Sequence, residues 1–147
     1  MMVILPMDDS HVAAVAELEK TCFSDPWSKK SVASELENPL SLWLVAKVGD
    51  CLAGYIGSQT VLGEADMMNL AVDPNFRRQG IGEALVLQLV KELKSRGAYC
   101  LTLEVRASNE AAIGLYNKLG FAAVGRRRDY YEKPREDACI LRKEWNV

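Results

Sequence analysis

Hydrophobic and polar positions change their period along this chain, and the changes mark the elements. Residues 3–5 (Val-Ile-Leu) read as a short first strand. From Asp9 or Ser10 onward, Val12, Val15, Ala16, Leu18 and Cys22 recur at helical spacing until Ser24-Asp25-Pro26 breaks the pattern. Ser28 has the residue type and position of an N-cap, which predicts a second helix to about Glu37, where Asn38-Pro39 stops it. Residues 42–48 and 51–61 are β-rich runs joined by Gly49-Asp50, the pattern of an antiparallel hairpin. A further run over 65–72 follows the Gly63-Glu64 turn and ends at Asp73-Pro74.

Beyond that point the period becomes helical. Ile81, Leu85, Leu89 and Leu93 stand four apart, with Val86 and Val90 widening the stripe, and Gly97 closes the helix. A strand over 100–105 comes next. Ser108-Asn109 offers capping oxygens to another helix, in which Ala112, Tyr116 and Leu119 share a face before Gly120 ends it. Runs over 122–131 and 138–143 complete the strands. The front half reads as antiparallel hairpins, whereas strand, long helix and strand from Ala65 to Val105 read as a parallel crossover. The fold class is therefore α+β, with a mixed, mostly antiparallel sheet of about seven strands and about four helices.

Composition narrows the function. A chain of 147 residues suits one domain, residues 1–147, which at this size buries roughly 68–70% of its unfolded surface. With 18 Lys and Arg against 20 Asp and Glu, the net charge of −2 disfavours a protein that grips nucleic acid by bulk phosphate neutralisation. No direct nucleic-acid partner is expected. The Arg126-Arg127-Arg128 run reads as a solvated strand edge rather than an RNA patch. No stretch approaches a membrane span, and residues 1–9 lack the form of a secretion signal, so no membrane partner and a cytoplasmic location are expected. Four scattered cysteines without a CxxC pair, and one His, argue against a metal site or disulfide framework.

The most informative segment runs from Asn69-Leu70-Ala71-Val72-Asp73-Pro74 through Arg77-Arg78-Gln79-Gly80-Ile81-Gly82 into the long helix. A helix start exposes unpaired N–H groups and positive dipole, and glycines let a phosphate approach. Glu83-Ala84 stands where a nucleotide P-loop needs Lys-Ser/Thr, and Leu85 where a dinucleotide fingerprint needs its third Gly. The remaining pattern, Arg77-x-x-Gly80-x-Gly82, resembles the acetyl-CoA loop of the GCN5-related N-acetyltransferases (GNAT family). The stretch Leu115-Tyr116-Asn117-Lys118-Leu119-Gly120-Phe121 resembles that family as well. Phe23-Ser24-Asp25-Pro26-Trp27-Ser28, Leu103-Glu104-Val105-Arg106-Ala107-Ser108-Asn109 and Arg128-Asp129-Tyr130-Tyr131 are similar to its RimI-type branch. That branch acetylates the N-terminal α-amine of a bacterial ribosomal protein, the eighteenth of the small subunit.

The resemblance implies a GNAT fold, acetyl-CoA as co-substrate, direct attack by the amine, and an N-terminal ribosomal-protein peptide as partner. It designates Glu104 as base and Tyr116 as acid. It assigns the pyrophosphate cradle to Arg78, Gln79, Gly80, Ile81, Gly82 and Glu83, the last through its backbone, and a further coenzyme contact to Asn109. The strand pattern is compatible: Leu101, Leu103 and Val105 share one face, and Thr102, Glu104 and Arg106 the other, where Arg106 is the expected ion partner of Glu104. Tyr116 reads alternatively as a core aromatic. Main-chain groups of Leu70, Ala71 and Val72 are expected to serve the oxyanion and pantetheine if their strand splays from its neighbour. Acceptor selection falls to residues 23–28 and 130–137, with Trp27, Tyr130 and Tyr131 as walls and Asp25, Glu136 and Asp137 as carboxylates. An N-terminal amine is the easier acceptor, since neutralising a lysine costs roughly 3.4 kcal/mol more. A lysine or small-amine acetyltransferase and a non-catalytic acyl-CoA sensor are the alternatives. Oligomeric state is not fixed by the sequence.

Overall fold

The computed structural model describes residues 1–145. Within them, β1 (Met2–Pro6), β2 (Ser41–Val48), β3 (Cys51–Val61), β4 (Glu64–Val72), β5 (Cys100–Arg106), β6 (Ala122–Glu132) and β7 (Arg135–Glu144) form one sheet. The strand order is β1-β2-β3-β4-β5-β7-β6. All neighbours run antiparallel except β4 and β5, the pair joined by the helical crossover. The four helices are α1 (Val12–Cys22), α2 (Lys29–Glu35), α3 (Ile81–Ser95) and α4 (Glu110–Lys118). The mixed sheet, the helices and the crossover agree with the pattern in the sequence.

The two-residue alternation of β2 and β3 separates two apolar layers. Leu42, Leu44, Ala46 and Ile56 join the α3 stripe and Tyr116 of α4 on one face of the sheet. Trp43, Val45 and Tyr55 pack with Val12, Val15, Leu18 and Val32 of α1 and α2 on the other. Trp43 stacks on Tyr55 at 5.7 Å between ring centres. A Cβ on Gly57 would overlap the Trp43 ring, so this strand position requires glycine.

Element ends depart locally from the sequence pattern. The helical period that starts at Asp9 or Ser10 opens as a 3-10 turn over Asp9–His11, capped by Asp8, which accepts the Ser10 N–H at 2.9 Å, and α1 begins at Val12. The second helix ends at Glu35, because Leu36 N–H bonds the Ala33 carbonyl and the chain tightens into turns. The last hairpin is tighter than expected: only Lys133 and Pro134 separate β6 from β7, so most of 130–137 is strand. β6 lies at the sheet edge. Among the described residues, no helix is long and apolar enough to cross a membrane.

Candidate active site

The crossover creates the site. β4 pairs with β5 only over Glu64, Ala65 and Asp66 against Cys100, Leu101 and Thr102, whereas its ladder with β3 continues to Val72. A strand turns alternate backbone groups to each neighbour, so the β5-facing groups of β4 beyond Asp66 have no ladder partner. This divergence is the splay expected at Leu70, Ala71 and Val72. A register shift between Gly57 and Ser58 falls beside it on β3.

The loop after β4 turns into α3 through Arg78 at φ 64° and Gly80 at φ 75°. Gly80 is the N-cap and provides no side chain to satisfy the helix start. Among the described residues, the N–H groups of Arg78 to Glu83 find no acceptor, and the first paired one belongs to Ala84, bonded to the Gly80 carbonyl at 3.0 Å. The Glu83 carboxylate turns away from this cradle to Lys118 Nζ, 3.3 Å distant on α4. Unpaired N–H donors, a helix dipole and a left-handed glycine together fit a diphosphate. Asn109 uses its side-chain oxygen to cap α4 by accepting the Ala112 N–H at 3.2 Å.

Glu104 and Arg106 lie on the half-buried face of β5, opposite Leu103 and Val105. The ion partner of Glu104 is Arg127 on β6, at 3.3 Å from Nε to Oε1, and not Arg106 as its strand spacing suggested. Glu104 remains 25% exposed, accessible to an acceptor. Tyr116 is buried and meets Phe121 edge-on at 5.4 Å. Burial, reinforced by Tyr131, lifts its hydroxyl well above the ordinary tyrosine range, so the group stays protonated. Tyr131 is pushed up to about 12, chiefly by burial and then by Tyr130.

The loop residues divide. Tyr130 and Tyr131 contact each other edge-on at 5.1 Å beside Glu104, aimed by a register shift between Arg127 and Tyr131. Trp27 instead packs edge-on against core Trp43 at 5.4 Å and anchors its loop. Asp137 accepts the Asp129 N–H and an Arg126 N–H, both at 2.8 Å, and both bonds hold its carboxyl below the usual range.

Two residues escaped sequence reasoning. Glu19 of α1 is fully buried: Oε1 accepts the Trp27 N–H at 2.8 Å, and Oε2 accepts Asn69 Nδ2 at 2.6 Å and the Tyr55 hydroxyl. It ties the 23–28 loop to β4. Its signal was available, since position 19 lies four after Val15 and three before Cys22, inside the apolar stripe. Burial raises its pKa above the ordinary value. The second residue is Arg106, which turns to the last hairpin, a destination no local pattern announces.

Comparison with known proteins decides the family. The sequence profile of the Acetyltransferase (GNAT) family matches residues 12–121. The chain is 41% identical over 143 residues to the [ribosomal protein bS18]-alanine N-acetyltransferase of Escherichia coli strain K12, covering 96% of each. The chain belongs to the GNAT acetyltransferase family. The crystal structure of the ribosomal-protein-S18-alanine N-acetyltransferase from Escherichia coli superposes with a TM-score of 0.92 at 39% identity, covering 100% of this chain and 96% of that one. Arabidopsis thaliana NAA60 in complex with acetyl-CoA shares the GNAT fold at 18% identity, with a TM-score of 0.91 and full coverage of both chains. The resemblance of the sequence to the RimI-type branch of GNAT enzymes is thus borne out. Among the described residues no three His, Cys, Asp or Glu side chains cluster to hold a metal.

Proposed function

We propose that this GNAT enzyme transfers the acetyl group of acetyl-CoA to the N-terminal α-amine of a bacterial bS18-type ribosomal protein, the eighteenth of the small subunit. The observation that carries the reading is the divergence of β4 from β5 beyond Asp66; an accessible carboxylate, Glu104 of β5, and the unpaired N–H groups that open α3 support it. The bS18-alanine specificity of the Escherichia coli relative supports the choice of acceptor.

In this mechanism Arg78, Gln79, Gly80, Ile81, Gly82 and Glu83 hold the diphosphate through backbone N–H groups, and Asn109 adds a coenzyme contact. Leu70, Ala71 and Val72 orient the pantetheine arm and donate to the thioester oxygen. Glu104 takes a proton from the α-ammonium, directly or through one water, and frees the nitrogen lone pair. As the C–N bond forms and the C–S bond breaks, the second nitrogen proton passes to the departing sulfur or to solvent, and Tyr116 donates a hydrogen bond to the developing thiolate. Its elevated pKa makes complete proton transfer more uphill than the ordinary 1.5-unit gap between tyrosine and thiol, so hydrogen bonding is its main contribution. Tyr130 and Tyr131 wall the acceptor, and Trp27 does so through the loop it anchors.

The test is Glu104→Gln. Loss of a general base predicts a fall in kcat/KM of about 10²-fold or more, with acetyl-CoA affinity unchanged by calorimetry. A variant within a few-fold of wild type would remove Glu104 from the chemistry.

A further inference from the structure

We propose that Arg106 is a positioning residue that clasps the β6–β7 hairpin over the acceptor side of Glu104 and fastens the walls of the acceptor site to one another. The proposal rests on the acceptor reading above. Arg106 lies two residues after Glu104 and on the same face of β5. Its Nη1 donates to the Pro134 carbonyl at 2.9 Å and its Nη2 to the Lys133 carbonyl at 3.1 Å, so one guanidinium spans both turn residues. Nη1 also lies 3.3 Å from Glu136 Oε1, and the guanidinium carbon stands 4.3 Å from the centre of the Tyr131 ring.

The clasp continues in two directions. Glu136 Oε2 accepts the Ser108 N–H at 2.6 Å, tying the hairpin to the segment that enters α4 and thereby to the helix of Tyr116. Ser108, through its side chain first and then this N–H, holds the Glu136 carboxyl below the usual range more than the adjoining Arg106 does. The Lys133 carbonyl accepts a second hydrogen bond, from Ser24 Oγ at 3.0 Å, which stitches the 23–28 loop to the hairpin. Arg106 therefore holds both the Lys133 carbonyl, which also binds the 23–28 loop, and the Glu136 carboxylate, which also binds the segment entering α4. Only a planar fork with several donors can serve two successive carbonyls, a carboxylate and an aromatic face together; an ammonium meets at most part of this set.

A peptide acceptor binding against walls already in place avoids the cost of ordering them. Releasing the hairpin should therefore weaken acceptor binding and leave the chemical step and the coenzyme cradle intact.

The experiment compares wild type, Arg106→Lys and Arg106→Gln by steady-state kinetics with a bS18-type N-terminal peptide and by amide hydrogen exchange. Arg106→Gln is expected to raise peptide KM by about tenfold or more. Its kcat and acetyl-CoA KM should stay within a few-fold of wild type, while exchange over residues 130–137 accelerates; Arg106→Lys should fall between. An equal rise in acetyl-CoA KM, a fall in kcat at unchanged peptide KM, or unchanged exchange would each overturn the proposal. If wild type binds acetyl-CoA yet acetylates no peptide, the acceptor reading fails. In that event hairpin exchange still decides the clasp: acceleration in Arg106→Gln upholds it and no change overturns it.

Discussion

Replacing Glu19 tests whether the buried carboxylate holds the 23–28 loop by hydrogen bonds or by charge. Its acceptors meet three donors, from Trp27, Asn69 and Tyr55, and among the described residues no Lys, Arg or His forms an ion pair with it. Glu19→Ala leaves all three donors without their partner, at about 1–3 kcal/mol each, partly offset because the variant no longer buries a charge. A net loss of about 3–5 kcal/mol follows, which for a domain of this size lowers Tm by about 2–4 °C per kcal/mol. Glu19→Gln behaves differently. Its amide oxygen can keep the Trp27 N–H, and its two N–H groups can donate to a turned Asn69 amide and to a rotated Tyr55 hydroxyl, so the cost stays near 1 kcal/mol or below. The pH dependence follows from the raised pKa. A carboxyl with a folded pKa above its unfolded value contributes stability that is fully present below the unfolded pKa, near 4.5, and lost as pH rises through the folded one. The Gln variant should lack that loss, so its stability relative to wild type improves as pH rises from about 4 to neutrality. Thermal and urea unfolding across this range measure both effects. A Gln variant as unstable as the Ala variant, or an Ala variant within 1 kcal/mol of wild type, would refute the reasoning.

Other outcomes follow from the same structure. Tyr116→Phe should lower kcat by about 10–100-fold, the worth of a hydrogen bond to a developing charge, with acetyl-CoA binding largely intact by calorimetry; a binding loss as large as the rate loss would deny that role. Because burial keeps the Tyr116 proton in place and Tyr131 is pushed up to about 12, kcat/KM should rise with pH through ionisation of the peptide amine, near 7.7–8.0, and hold its plateau to about pH 10. A fall between pH 8 and 9.5 that Tyr116→Phe abolishes would contradict the assigned state. Gly80→Ala forces a Cβ onto φ 75° and should cost roughly 1–2 kcal/mol, together with a weaker acetyl-CoA Kd. Gly57→Ala drives a methyl into the Trp43 ring and should cost about 1–3 kcal/mol in urea unfolding, with the acetyl-CoA Kd of the remaining folded protein unchanged.

Elements whose signal is local were legible in the sequence. The α3 stripe, the hairpin at Gly49-Asp50 and the alternation of β5 each follow from one segment's periodicity, and each stands where that periodicity places it. Pairings between distant segments were not. Strand spacing set Arg106 beside Glu104, yet Arg127 reaches Glu104 from the edge strand β6 across the intervening β7, a neighbour that only the sheet order supplies. Residues 130–137 carry the polar composition of a loop, but cross-strand bonding carries β6 to Glu132 and starts β7 at Arg135. The packing of Trp27 on Trp43, which anchors the 23–28 loop, joins two distant segments and has no local signal in the sequence. The splay of β4 depends on where a parallel ladder stops, which the isolated strand sequence does not encode.

The most direct test of the proposed acetyl transfer is mass spectrometry of the purified enzyme with acetyl-CoA and a bS18-type N-terminal peptide containing an internal lysine, beside a twin whose α-amine is blocked. The account predicts acetylation of the free N-terminus alone, no product on the blocked twin, and loss of product with Glu104→Gln. Acetyl on the lysine of both peptides would contradict it and assign the enzyme to side-chain amines.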